Sequence, residues 1–469
     1  MKKFLAILLC LVMVLGLAAC GSSDEKEETT TAAAGEETTA AEKEETTAAQ
    51  KEDDTEAATE GGEAETTQAD TSIADHPLYQ LTDRNNLQGL ISPVQLVDRS
   101  GIEKALPTEQ KSDLFLGYSG GTLISSFFVD IQNGFIDKCE EYGYKHSELY
   151  TSSMGDTAGS FTNVDTLIAQ SVDGIVLSGD SDAIGTQAET CVNAGIPCDS
   201  INVPNDIMNH MITAVTNGDF NGGYVTGLDV GENLYYPQWK DQADPVRTTV
   251  MFGTAGNQIS MSKLCGILTG IIESVTKLQG NPMIFEDAAF LANGYITDLA
   301  LNGSLDIPEI NMSIKGYGEG QWVTADALSA AEDLFTATPD MQLMMCDNDY
   351  MAIGGILAAQ AIGVNVGQDC FIFACSDGTM VALEYVRDGL MYCTGVNCAY
   401  ALGWGNVEVF HMVYEEGFDA SNMPNQTLVD TMPLTQENWE QYYDPSIELV
   451  RETTIEFKTT EELLAEYGL

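Results

Sequence analysis

From residue 113 onward the chain alternates between two hydrophobic rhythms. Short apolar runs recur at 114–118, 148–151, 174–178, 196–202 and 211–216, each the length of a buried strand. Between them the apolar residues fall at helical spacing. Phe128, Ile131, Phe135, Ile136 and Cys139 mark a helix over 127–142 that stops at Gly143, and further helices are predicted over 164–170 and 183–194. A second series opens with a strand at 247–253 and a helix over 258–275. Residues 278–310 are irregular and predict an extra helix or excursion. A strand at 311–316 and a helix over 322–337 follow, then two strand–turn–helix units within 346–389, a strand at 391–396 and a helix over 400–415. Alternation of this kind predicts right-handed crossovers and a parallel sheet covered on both faces. Two such series predict an α/β chain with two doubly wound sheets in succession.

The units within 346–389 put polar groups where their strands end: Asp347, Asn348 and Asp349 in one turn, Ser376 and Asp377 in the other. In an open parallel sheet the crevice beyond the carboxyl ends of the strands receives ligands. Asn, Ser and Asp are also preferred helix N-caps, and the two roles are compatible. Phe127, Phe128 and Trp322 stand near predicted helix starts, where an aromatic ring either packs into the core or faces a ligand.

Composition narrows the function. The formal net charge is −53, which argues against nucleic acid and against an electrostatic hold on anionic lipid. Four scattered histidines, without HExxH or CxxC spacing, argue against a zinc site. The glycine-rich stretches 253–256 and 316–320 do not fit GxGxxG in a strand-to-helix context. No nucleophile, base and orienting group stand together in the pattern, so neither an enzyme nor a cofactor is expected.

The N-terminal region reads differently. Residues 1–20 form an export signal: Lys2 and Lys3, an apolar run over 4–15, then Leu17-Ala18-Ala19-Cys20. That tetrapeptide resembles a bacterial lipobox, which implies lipidation at Cys20 and a membrane anchor. Residues 21–72 are a Glu/Thr/Ala tract with no aromatic or large aliphatic residue. Such a tract cannot fold, and a tether of roughly fifty residues spans on the order of 40 Å. Residues 73–112 are expected to form an ordered lead-in packed on the first lobe. Besides Cys10 and Cys20, nine cysteines remain. An odd number cannot all pair within one chain, and their apolar contexts suit small buried hydrophobes.

In order and spacing, several motifs resemble the type I periplasmic substrate-binding proteins of the ribose/galactose-binding family. They are Ser125-Ser-Phe-Phe128, Val172-Asp-Gly-Ile-Val-Leu177, Ala194-Gly-Ile-Pro197, Asn217-Gly-Asp-Phe-Asn-Gly-Gly223, the stretch from Pro339 through Cys346-Asp-Asn-Asp349 to Gly354, Cys375-Ser-Asp-Gly378 and Arg387-Asp-Gly-Leu390. The resemblance covers about 114–443. It implies two lobes joined by three crossings, near 217–218, 397–398 and 428–430, that close on a ligand by hinge motion. The implied lobes are 113–217 plus 398–428, and 218–397 plus 429–469.

The resemblance also implies a site. Ser125, Phe127 and Phe128 come to the cleft from the first lobe, with Asn202 at the end of its fourth strand. Met261, Trp322, Asn348, Asp377 and Asn397 come from the second. Rings suit the apolar C–H faces of a sugar, and carboxylates and carboxamides suit its hydroxyls. Two departures stand out: Asn202-Val203 where many members carry Asp-Arg, and Met261 where an Arg often reaches the sugar. Asp199 or Lys263 could compensate. The implied function is a monomeric solute-binding lipoprotein of an ABC importer that captures a small polar ligand, a sugar, and presents it to a membrane permease. A ligand sensor docking on a membrane receptor and a nucleoside-binding lipoprotein are the alternatives.

Overall fold

The computed structural model describes residues 101–123, 126–153, 156–178, 181–201 and 210–466. The expected signal, the lipidation site Cys20, the tether and most of the lead-in lie outside the described residues.

The first sheet is built from the apolar runs: β1 (Phe115–Gly120), β2 (Lys145–Tyr150), β3 (Gly174–Leu177), β4 (Cys198–Ile201), β5 (Ala214–Thr216) and β12 (Gln426–Leu428). Their order is β12-β5-β4-β3-β1-β2 and every pairing is parallel. The connecting helices α1 (Ser126–Tyr142), α2 (Thr157–Ala169) and α3 (Ser181–Asn193) cover it, as parallel strands require. Described lead-in residues lie on this lobe. Lys111 pairs with Asp173 at 2.7 Å, and its backbone N–H donates to the Tyr414 carbonyl at 3.0 Å.

The chain leaves this sheet after Thr216 and enters the second lobe through α4 (Asp219–Asp229). There β6 (Val246–Phe252), α5 (Gln258–Leu278), α6 (Phe285–Asn302), β7 (Leu305–Ile307), β8 (Met312–Glu319), α7 (Thr324–Ala337), β9 (Leu343–Cys346), α8 (Asp349–Ala361), β10 (Phe371–Ala374) and α9 (Met380–Arg387) follow. The second sheet has the order β10-β9-β6-β8-β7, parallel except for the edge strand β7, which runs antiparallel to β8. The irregular stretch 278–310 thus holds the helix α6 and the strand β7. By length and composition α5 could cross a membrane, yet most of it is buried inside the lobe. A helix apolar on all sides is what a core position between other elements selects.

Beyond β11 (Cys393–Gly395) the chain returns to the first lobe as α10 (Ala399–His411), which packs on α1. After β12 it passes again to β13 (Pro433–Thr435), antiparallel to β11. The tail does not stay there. Leu449 bridges to Thr379 beside α9, but Ile455 bridges to Val429, Arg451 pairs with Asp130 of α1, and Thr460 donates to the Asn422 carbonyl at 3.1 Å. The segment 429–469, assigned from sequence to the second lobe, is therefore divided between the two. Its polar and β-branched residues find open edges on the first lobe.

In each lobe glycine holds helices at backbone contact. A Cβ on Gly403 of α10 would stand 2.0 Å from the Ile131 carbonyl oxygen of α1. In the second lobe a Cβ on Gly223 would stand 2.0 Å from the Lys263 oxygen, and one on Gly266 2.1 Å from the Phe220 oxygen. Any side chain there would drive α4 and α5 apart. Nine cysteines, Cys139 through Cys398, are buried and none forms a disulfide.

Candidate functional site

The carboxyl ends of β6, β9 and β10 and the start of α5 meet at a buried ionic network. Lys263, on the inward face of α5 and 4% exposed, stands 3.4 Å from Asp347 Oδ1 and 3.7 Å from Asp219 Oδ1, and donates to Ser376 Oγ at 2.9 Å. Burial disfavours its charge, but Asp347, Asp219 and Asp377 outweigh that and hold its pKa above the ordinary value. Asp347, which directly follows β9, is fully buried. It accepts from the Gly253 N–H at 3.1 Å, from Trp322 Nε1 at 3.0 Å and from Ser260 Oγ. A buried carboxylate is tolerable only with donors of this number and quality.

Asp219 reaches the same network because α4 opens immediately after the first crossing, and the glycine contacts let α4 lie directly on α5. Burial raises its pKa to about 6, with Lys263 opposing and Asp347 and Asp377 adding to the rise. Asp377 follows β10 in a left-handed backbone conformation, φ 93°, which is strained for a non-glycine residue and concentrates at functional sites. Its Oδ2 accepts from Asn348 Nδ2 at 2.9 Å, and the nearby Asn397 amide helps to hold its pKa down. Burial pushes its pKa up, opposed first by Lys263. Asn348 has both roles weighed above: Oδ1 caps α8 through the Met351 N–H at 3.1 Å, and Nδ2 holds Asp377. Asp349 turns away from the cavity and ties strand ends together. It accepts from the Thr379 N–H at 2.7 Å and from the Thr394 hydroxyl, and burial lifts its pKa to about 8.

These groups open on a cavity of about 650 Å³ between the lobes, within the size range of small-molecule sites. Phe127 and Phe128 of α1 form one wall, edge to face with centroids 5.8 Å apart. Trp322 forms part of the opposite wall. The helix expected to begin at Trp322 begins at Thr324. Gln321 and Trp322 adopt left-handed φ of 47° and 56°, which swings the indole over the strand ends. It lies so close to Gly253 that a Cβ there would fall 2.0 Å from the ring. Tyr350 of α8 and Ser126 of α1 line the cavity from the two lobes.

Of the residues singled out from sequence, Phe127, Phe128, Trp322, Asn348, Asp377 and Asn397 line this cavity together. Ser125 and Asn202 lie outside the described residues. Met261 is not in the lining: its side chain packs against the second lobe's core. Two residues along an α-helix is about 200° of rotation, so when Lys263 faces the cavity Met261 cannot. Asp199 is buried within β4 and does not line the cavity either. Sequence reading missed Asp219, Ser126, Ile259, Gln321, Tyr350, Glu448 and Leu449. Asp219 was within a quoted motif, at the first helical position after a crossing, and that position was its signal. Glu448 arrives from the returning tail and carried none.

No family model matches the sequence. The chain is 21% identical over 285 residues to the ribose import binding protein of Bacillus subtilis (strain 168), covering 61% of this chain and 76% of that one. Among solved structures it is similar to a periplasmic ribose ABC transporter protein of Conexibacter woesei (TM-score 0.54, 18% identity, 71% of this chain and 96% of that one). It is also similar to an ABC transporter periplasmic solute-binding protein of Actinobacillus succinogenes 130z with bound D-allose (0.53, 18%, 70% and 100%), and to a solute-binding protein of Bacillus halodurans with bound myo-inositol (0.53, 16%, 72% and 99%). These likenesses show the fold: two lobes of the type I periplasmic binding protein kind.

Proposed function

We propose that this chain, with its type I periplasmic binding fold, is the extracytoplasmic solute-binding component of an ABC importer for a sugar. It captures the sugar between its lobes by hinge closure and delivers it to a membrane permease. The observation that carries this reading is the division of labour around the cavity. The first lobe supplies mainly ring faces, Phe127 and Phe128, to which Trp322 of the second adds another, for the C–H surfaces of a pyranose or furanose. The other supplies Asp219, Asn348, Asp377 and Asn397 for its hydroxyls, in a setting where hydrogen bonds to carboxylates are among the stronger ones. Proteins of this fold whose names or bound molecules are ribose, D-allose and myo-inositol support the same substrate class.

Ligand chemistry is recognition alone. Desolvation on closure strengthens each hydrogen bond. Attachment through a lipid on Cys20, with residues 21–72 as tether and the folded part working as a monomer, is the arrangement the N-terminal sequence supports. The test is a thermal-shift screen with monosaccharides, polyols, nucleosides and amino acids. A ligand at a hundred times its dissociation constant adds about 2.7 kcal/mol of stability. A sugar or polyol among the hits supports the reading. A nucleoside or amino acid binding in their place overturns the substrate class.

A further inference from the structure

The polar groups facing the cavity are unevenly divided between donors and acceptors. Asp219 Oδ2 and Asn397 Oδ1 are buried acceptors that find no hydrogen-bond partner among the described residues, on side chains only 6% and 7% exposed. Asp377 and, at the rim, Glu448 add further acceptors. Lys263 is the one cationic side chain in the lining among the described residues, and its ammonium is already shared among Asp347, Ser376 and, at 3.7 Å, Asp219 Oδ1, which leaves Asp219 Oδ2 unmet. The indole N–H of Trp322 is likewise taken by Asp347. The cavity therefore offers unmet acceptors and surplus negative charge, beside aromatic rings that also favour a cation.

A neutral sugar can supply donors but leaves the surplus charge to be desolvated on closure, which is unfavourable for unpaired carboxylates. An ammonium group meets both needs, with three N–H donors and a positive charge. We infer that the captured solute is an amino sugar, a sugar ring carrying a free ammonium group that seats on the Asp219 side of the cavity while its hydroxyls engage Asn348, Asp377 and Asn397. This inference rests on the sugar-binding reading above. Burial raises the pKa values of Asp219 and Asp377, and a bound cation would oppose that rise by stabilising the carboxylates. Anionic sugars, uronates and sugar phosphates, are excluded from such a site.

The experiment is calorimetric titration of the whole protein at neutral pH. The probes are D-glucosamine, D-galactosamine and D-mannosamine, each beside its parent hexose and its N-acetyl derivative. At least one amino sugar is expected to bind about tenfold or more tighter than its parent, with N-acetylation abolishing the advantage. That advantage should fade as pH drops through about 6, where Asp219 takes up a proton in the field of Lys263, Asp347 and Asp377. Asp219→Asn should remove the preference, so that each amino sugar and its parent hexose bind within a few-fold of one another. Parent or N-acetyl sugars binding as tightly as the amino sugars in the unmodified protein would overturn the inference and leave the sugar reading intact. Absence of binding by every saccharide would overturn both.

Discussion

The two lobes reach the same cavity with different materials: the second adds a charged and polar network to rings of its own, Trp322 and Tyr350. The first presents Phe127 and Phe128, half-buried rings whose contacts are with each other and with the lobe's own core. The second presents Lys263, Asp219, Asp347, Asn348 and Asp377, which are bonded to one another before any ligand arrives. Rings tolerate many orientations of an apolar surface, whereas a network of fixed donors and acceptors selects one pattern. Under the proposed function, the second lobe is the part that reads the ligand and the first the part that closes over it. The difference also ties stability to recognition on one side only.

Substitutions can break that contrast. Lys263→Met should have the largest effect, because it strands Asp347 and Asp219 without their cation. Removing one partner of a buried ion pair costs roughly 3–5 kcal/mol, and chemical denaturation would read it. A loss below about 1 kcal/mol, the range of exposed pairs, would mean the network is not structural. Asp377→Asn should separate the two roles: affinity for the bound sugar falls by roughly 1.5–3 kcal/mol, the value of a hydrogen bond to a charged group. Its melting temperature should hold or rise, since burial already disfavours the Asp377 charge. Phe127→Ala should lose about 1 kcal/mol of affinity, the scale of an aromatic contact, while costing less stability than Lys263→Met. Trp322→Phe keeps a ring in place but removes the indole donor to Asp347. A drop of about 1 kcal/mol in unfolding free energy is expected, visible as a small shift in a urea midpoint.

Much of this architecture was legible in the chain because buried parallel strands are short apolar runs and their crossover helices carry a 3.6-residue period. Cavity-lining residues that follow parallel strands, Asn348 and Asp377, were legible for the same reason: topology sends every such strand end to one side. Asn397 follows β11, whose pairing is antiparallel, and only the family resemblance pointed to it. Met261 was misplaced because a motif match does not fix helix phase, and only the packing of α5 on α4 decides which face turns inward. The pattern puts Trp322 at a helix start because neither it nor Gln321 announces a left-handed backbone. Glu448 and Leu449 were invisible, since a tail that runs back over both lobes makes contacts far from any local pattern.

The cysteines have a practical consequence. All nine in the described residues are buried, and burial raises the thiol pKa of Cys265, Cys370 and Cys398 to about 12, so these thiols resist alkylating reagents in the folded state. A single cysteine introduced on each rim of the cleft could therefore accept a dye while the native nine stay in place. The distance between the two dyes would then follow opening and closing one molecule at a time.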